Sequence, residues 1–176
     1  MEKDSKEILE LFARYIIIIL AGLGNLYIFY KILTPLTIKV LAILFSLFSN
    51  PVVFENFISL ENILIEIVPA CVAGSAFYLL FILVFSTAKI NPKKRLKILG
   101  VSFLTLFILN ILRIILLVLI SNEPYFPTVH WVFWHLISTI FVVGIWIKLI
   151  YTYDLKGIPI YSDLKHLISL ISPIKR

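Results

Sequence analysis

Four stretches of this chain, near residues 11–31, 64–88, 98–121 and 129–151, are each apolar over the roughly 20 residues that a helix needs to cross the hydrocarbon core of a bilayer. Inside lipid every backbone N–H and C=O needs a partner within the protein, and a helix supplies those partners from its own backbone. The expectation is an all-α polytopic membrane protein with about four spans, forming a single membrane domain over residues 1–176. Composition agrees: 61% of the residues are hydrophobic and 15% charged, against about 25% charged in an ordinary soluble domain. A fifth apolar stretch, LTIKVLAILFSLFS at 36–49, is shorter and carries Lys39, which predicts an interfacial or re-entrant helix. The tail DLKHLISLISPIKR reads as an amphipathic helix lying on a membrane surface. The start, MEKDSKEILELF, carries several acids and no small-residue cleavage site follows it, so no cleaved signal peptide is expected.

The loop AKINPKKRLK orients the chain. Lys89, Lys93, Lys94, Arg95 and Lys97 crowd a short connection between two spans, and the positive-inside rule makes that loop cytoplasmic. Span 64–88 then runs inward, 98–121 outward and 129–151 inward, with both termini cytoplasmic. Lys148, Lys156, Lys165, Lys175 and Arg176 agree with that direction. So do the segments NPVVFENFISLEN and SNEPYFPTV, which carry Glu55, Glu61 and Glu123 and no base, and which fall outside. The net charge of +6 suits loops facing anionic lipid and needs no nucleic acid to explain it.

An ionisable residue at membrane depth costs about 2.5–3.5 kcal/mol to insert, so its presence points to function. Arg113 is such a residue. Asn110, three positions earlier on the same helix face, is placed to bond a neighbour or to orient the guanidinium. Cys71, the only cysteine, heads another span, and His130 and His135 open a third. Cys71, Arg113 and the two histidines lie toward the same end of their spans. Cationic neighbours favour a thiolate nucleophile, imidazole can protonate a leaving amine, and a guanidinium can hold a carbonyl or an oxyanion. Cys, His and Arg together therefore suggest acyl transfer through a thioester. The bland alternatives are an inert buried cysteine, an arginine that only clamps helices, and histidines sitting with Trp131 and Trp134 in an aromatic belt. Zinc would need three or four ligands at a recognised spacing, and Cys71, His130, His135 and Glu123 show none. The small residues Ala70, Ala73, Gly74, Ser75 and Ala76 would let another helix approach the thiol, whether a substrate's or one of the chain's own.

The order PACVAGSAF, basic loop, NILR and VHWVFWHLIST resembles the archaeosortase/exosortase family, most strongly over residues 64–147. The resemblance implies a polytopic transpeptidase without a cofactor. Such an enzyme would recognise a C-terminal sorting tag on surface proteins, made of a short motif, a transmembrane helix and a basic cluster. It would cleave the tag on the extracytoplasmic side and pass the protein to a lipid or other acceptor. Carried over residue by residue, the resemblance makes Cys71 the nucleophile, Arg113 the arginine and His130, or alternatively His135, the histidine, with Asn110 and Gly74 in support. The small size implies a minimal archaeal form. The sequence departs from the family pattern at Trp134, where a small residue usually follows the histidine by about four. It departs again at Val72 and Ala73, which separate the cysteine from its glycine. Two other functions fit the same residues: a non-catalytic membrane subunit or small anion transporter using Arg113, and an intramembrane protease that hydrolyses without an acceptor.

Overall fold

The computed structural model describes residues 2–24, 26–60 and 63–171. Glu61, Lys175 and Arg176, used above to orient the chain, lie outside the described residues. Helix α1 covers Glu2–Gly22 and α2 Tyr27–Phe45; strands β1 (Val52–Phe54), β2 (Phe57–Leu60) and β3 (Ile63–Glu66) follow. The one-turn α3 (Pro69–Val72) precedes α4 (Gly74–Phe85), then come α5 (Pro92–Leu119), α6 (Phe126–Val132), a π-helical turn (Phe133–Ile137), α7 (Ser138–Tyr153) and α8 (Tyr161–Ile171). The protein is an all-α polytopic membrane protein to which one small antiparallel sheet is added. Among the described residues, three helical stretches are long and apolar enough to cross a membrane: α2, α5 and the continuous run from α6 to α7, Phe126–Tyr153.

The span boundaries differ from the sequence reading in three places. The run at 11–31 is divided, because Gly24 at φ +67° and Leu26 at φ 62° turn the backbone left-handed between α1 and α2. That conformation ends an α-helix and is unstrained only for glycine. The stretch at 36–49 is then no separate interfacial helix; most of it is the second half of α2, which continues through Pro35. Finally, 64–88 is not one helix. Its first residues are β3, Pro69 starts α3 at a position where a missing N–H does no harm, and Ala73 at φ 58° separates α3 from the 12-residue α4.

Two arginines on α5 set how the helices stack. Arg95 donates to the carbonyls of Val84 and Phe85, at the C-terminal end of α4, and of Ile90 in the loop that follows. Arg113 donates to the carbonyls of Ala70 and Cys71 in α3. Eighteen residues separate the two, about five helical turns, so both project from one face of α5, about 27 Å apart along it. Helices α4 and α5 are therefore antiparallel. Arg95, counted above among the loop cations, is buried rather than solvated. It satisfies carbonyls that have no intrahelical donor.

Helix α1 is also antiparallel to α4: Arg14 reaches the carbonyls of Phe85 and Thr87, while Tyr78 donates to the carbonyl of Ile18. At the start of α2, Phe29 packs edge-on against Tyr78, Phe81 and Phe103. Six residues after its end the chain enters β1, so α1 and α2 in series lead from the Arg95 end to the sheet end. Phe29, Phe77, Leu80, Leu106 and Val142 join α2, α4, α5 and α7 in one buried cluster. Helix α8 exposes Leu164 and Ile168, one turn apart, and turns Asp163 inward. There the carboxylate meets Arg14 at 2.9 Å and the Tyr15 hydroxyl at 3.2 Å. Removing one partner of a buried ion pair leaves the other uncompensated, so Arg14→Ala is expected to destabilise the protein by about 3–5 kcal/mol. Thermal unfolding in detergent checks this, and the double variant with Asp163→Ala should lose less than the sum of the single losses.

Candidate active site

The site begins with the break at Ala73. An α-helix would bond the carbonyls of Ala70 and Cys71 to N–H groups four residues on. The left-handed Ala73 turns the chain before those donors arrive. Asn110 Nδ2 donates to the Cys71 carbonyl at 2.9 Å, and Arg113 Nη2 donates to the same oxygen at 3.0 Å and to the Ala70 carbonyl at 3.3 Å. Asn110 and Arg113 thus replace the missing turn of helix. A non-glycine residue held at positive φ is strained, and such strain persists where surrounding bonds enforce it.

Arg113 is 4% exposed. Its Nη1 donates at 2.7 Å to Ser138 Oγ, which donates in turn to the Phe133 carbonyl at 3.1 Å. The Phe133 carbonyl is five residues before Ser138, the spacing of the π-turn at Phe133–Ile137. Ser138 was not foreseen as a partner of Arg113. The signal for it was a hydroxyl inside an apolar span facing the helix that carries the arginine. Among the described residues Arg113 Nε is buried without a partner.

One cavity of about 190 Å³ brings Cys71, Arg113 and His130 together. Its walls come from β3, α3, α5 and α6, and Trp134 closes one side. Cys71 is half-buried, with Sγ 4.0 Å from the Glu66 carbonyl, and His130 stacks on Phe126 at 5.6 Å. His135 is not among the lining residues. It lies between the rings of Trp131 and Trp134, with Nδ1 3.0 Å from the Trp131 carbonyl. Gly74 also stands apart from the cavity. A Cβ there would come within 2.6 Å of the Tyr30 ring, so α2 of this chain, rather than a substrate helix, occupies the space its small size leaves. Among the described residues no three His, Cys, Asp or Glu side chains converge as a metal ion would require.

Replacing Arg113 by Lys keeps a charge but cannot span Ser138 and two carbonyls at once. Arg113→Lys is therefore expected to shift the Cys71 backbone and change the alkylation rate of its thiol by about tenfold. Alkylation of Cys71 by iodoacetamide separates a misplaced thiol from a misfolded protein.

These features define a polytopic membrane protein with a thiol-bearing cavity at the sheet end of its helical bundle. Over residues 6–152 the sequence matches the family described as transmembrane exosortase (Exosortase_EpsH), and the chain belongs to that family. No curated protein and no solved structure matches it.

Proposed function

We propose that this protein is a cysteine-dependent transpeptidase that removes a C-terminal sorting tag from membrane-anchored surface proteins. The observation that carries the reading is the single cavity shared by Cys71, Arg113 and His130. The Cys71 thiolate attacks the carbonyl carbon of the scissile peptide, forming a C–S bond. As the C–N bond breaks, the His130 imidazolium gives its proton to the departing amine. An acceptor hydroxyl, from a lipid or from water, then gives its proton to His130 and attacks the thioester, and Cys71 leaves as thiolate. Arg113 holds the Cys71 backbone through its carbonyl and keeps positive charge beside the sulfur.

The topology that serves this chemistry has the Arg95 end of the bundle, with α8 and the start of α1, in the cytoplasm and the sheet end outside. Lys89, Lys93, Lys94 and Lys97 support it. The substrate's own transmembrane helix would bring its motif to the cavity. Anion transport through Arg113 is the weaker reading, since three guanidinium hydrogen bonds already go to Ser138, Ala70 and Cys71.

The test uses membranes containing this protein and a co-expressed surface protein from the same genome that ends in a short motif, an apolar helix and a basic cluster. Hydroxylamine should intercept the thioester and leave a hydroxamate at the new C-terminus. Absence of both cleavage and hydroxamate across all such proteins of that genome would overturn the reading.

A further inference from the structure

Strand order in the sheet is β1-β2-β3, so among the described residues β3 is paired on one side only. The register pairs Ile58 with Ile65 and Leu60 with Ile63, and the Ile67 N–H donates to the Asn56 carbonyl at 2.9 Å. In an antiparallel ladder, directly opposed residues alternate between exchanging both main-chain bonds and exchanging none. Ile67, Ile65 and Ile63 therefore spend their N–H and C=O groups on β2. Leu64 and Glu66 point theirs the other way, off the open edge. Among the described residues neither N–H has another partner.

That open edge is the wall of the cavity. Ile63 through Ile67 all line it, and Cys71 Sγ lies 4.0 Å from the edge carbonyl of Glu66. Leu64 is 60% exposed, while Leu117, Val118, Phe126 and Trp134 form apolar walls elsewhere in the cavity. An unpaired edge normally invites association and is blunted or covered. Here it lies open beside the only cysteine.

We infer that the substrate's sorting motif binds in extended form as a fourth strand on β3, exchanging main-chain hydrogen bonds with Leu64 and Glu66. Neighbouring strands run about 4.8 Å apart, so a backbone added at this edge passes within reach of Sγ. Main-chain pairing supplies the affinity and aligns the scissile carbonyl, and the apolar walls select side chains. The inference deepens the proposed function and rests on Cys71 being its nucleophile.

Two reagents test it on the intact protein in detergent: acetyl-Ala-Ala-Ala chloromethyl ketone, and the same compound N-methylated at all three amides. In each, the Cys71 thiolate displaces chloride and a C–S bond forms. Iodoacetamide, which is too small to pair, reports thiol reactivity alone. The unmethylated peptide is expected to alkylate Cys71 about tenfold or more faster than its methylated counterpart. Leu64→Pro removes one edge N–H without touching a bond to β2, as an edge position allows. It should slow the unmethylated peptide and leave the iodoacetamide rate unchanged. Equal rates for the two peptides on the parent protein would overturn the added strand while leaving Cys71 as nucleophile. A Cys71 that no reagent alkylates would overturn the nucleophile and the strand together.

Discussion

Under the proposed function, Cys71→Ala is expected to abolish tag removal, by at least about 10⁴-fold, in a protein that still inserts and folds. The side chain gives up little on truncation, since it is only half-buried and its Sγ makes one long hydrogen bond, 4.0 Å to the Glu66 carbonyl. What shapes the site at Cys71 is its backbone. The N–H donates to the Val68 carbonyl at 2.8 Å, and the carbonyl accepts from Asn110 and Arg113. All of these bonds survive in the alanine variant, so its stability should fall by less than about 1 kcal/mol. Cys71→Ser should be almost as inactive, because an alcohol is a far weaker acid than a thiol and a poorer nucleophile in the same surroundings. Electrophoretic mobility of the tagged protein reads processing, and detergent melting curves read the fold. Tag removal by the alanine variant at the parent's rate would exclude Cys71 as the nucleophile.

Where the sequence is continuous and apolar over more than 20 residues, hydropathy alone locates the helix. The expectation at 98–121 overlaps α5 as far as Leu119 and overruns it by two residues, and that at 129–151 lies within Phe126–Tyr153. Hydropathy fails where the break is made by backbone conformation. Leu26 and Ala73 both adopt positive φ, and neither a leucine nor an alanine announces that. The sheet was legible only in part. Residues 52–66 read VVFENFISLENILIE, in which the dipeptide Glu55-Asn56 links two β-favouring runs at hairpin spacing, with Glu55 at φ 50°. By charge alone, their acids mark an outer loop instead.

The polar residues of the candidate site stand out because apolar surroundings make them costly, and that is a sequence property. Their bonding is not. A guanidinium at membrane depth has to find acceptors, but the chain does not say whether they belong to a substrate or to the protein. Here a helix broken at Ala73 frees two carbonyls, and Arg113 and Asn110 take them. Arg95 repeats the arrangement at the other end of α4, so the same physical need accounts for one arginine beside the cavity and another far from it. Depth and charge find such residues; only geometry separates a helix-ending role from a place beside the thiol.

His130→Ala is expected to lower processing by about 10²–10⁴-fold, and His135→Ala to leave it within about twofold of the parent. The two rings differ in surroundings rather than in chemistry. His130 lines the cavity with Cys71 and stacks on Phe126, whereas His135 lies between two tryptophans with one nitrogen 3.0 Å from the Trp131 carbonyl. A proton has to reach the leaving amine in the first step and leave the acceptor hydroxyl in the second. Losing the shuttle therefore slows both steps, and hydroxylamine, already a strong nucleophile, should relieve only the second. Free imidazole added to the His130→Ala protein should restore part of the rate by diffusing into the vacated space, which a purely structural loss would not permit. Full activity in His130→Ala with the loss in His135→Ala would move the proton-transfer role to His135 and require the π-turn that carries it to rotate toward the thiol.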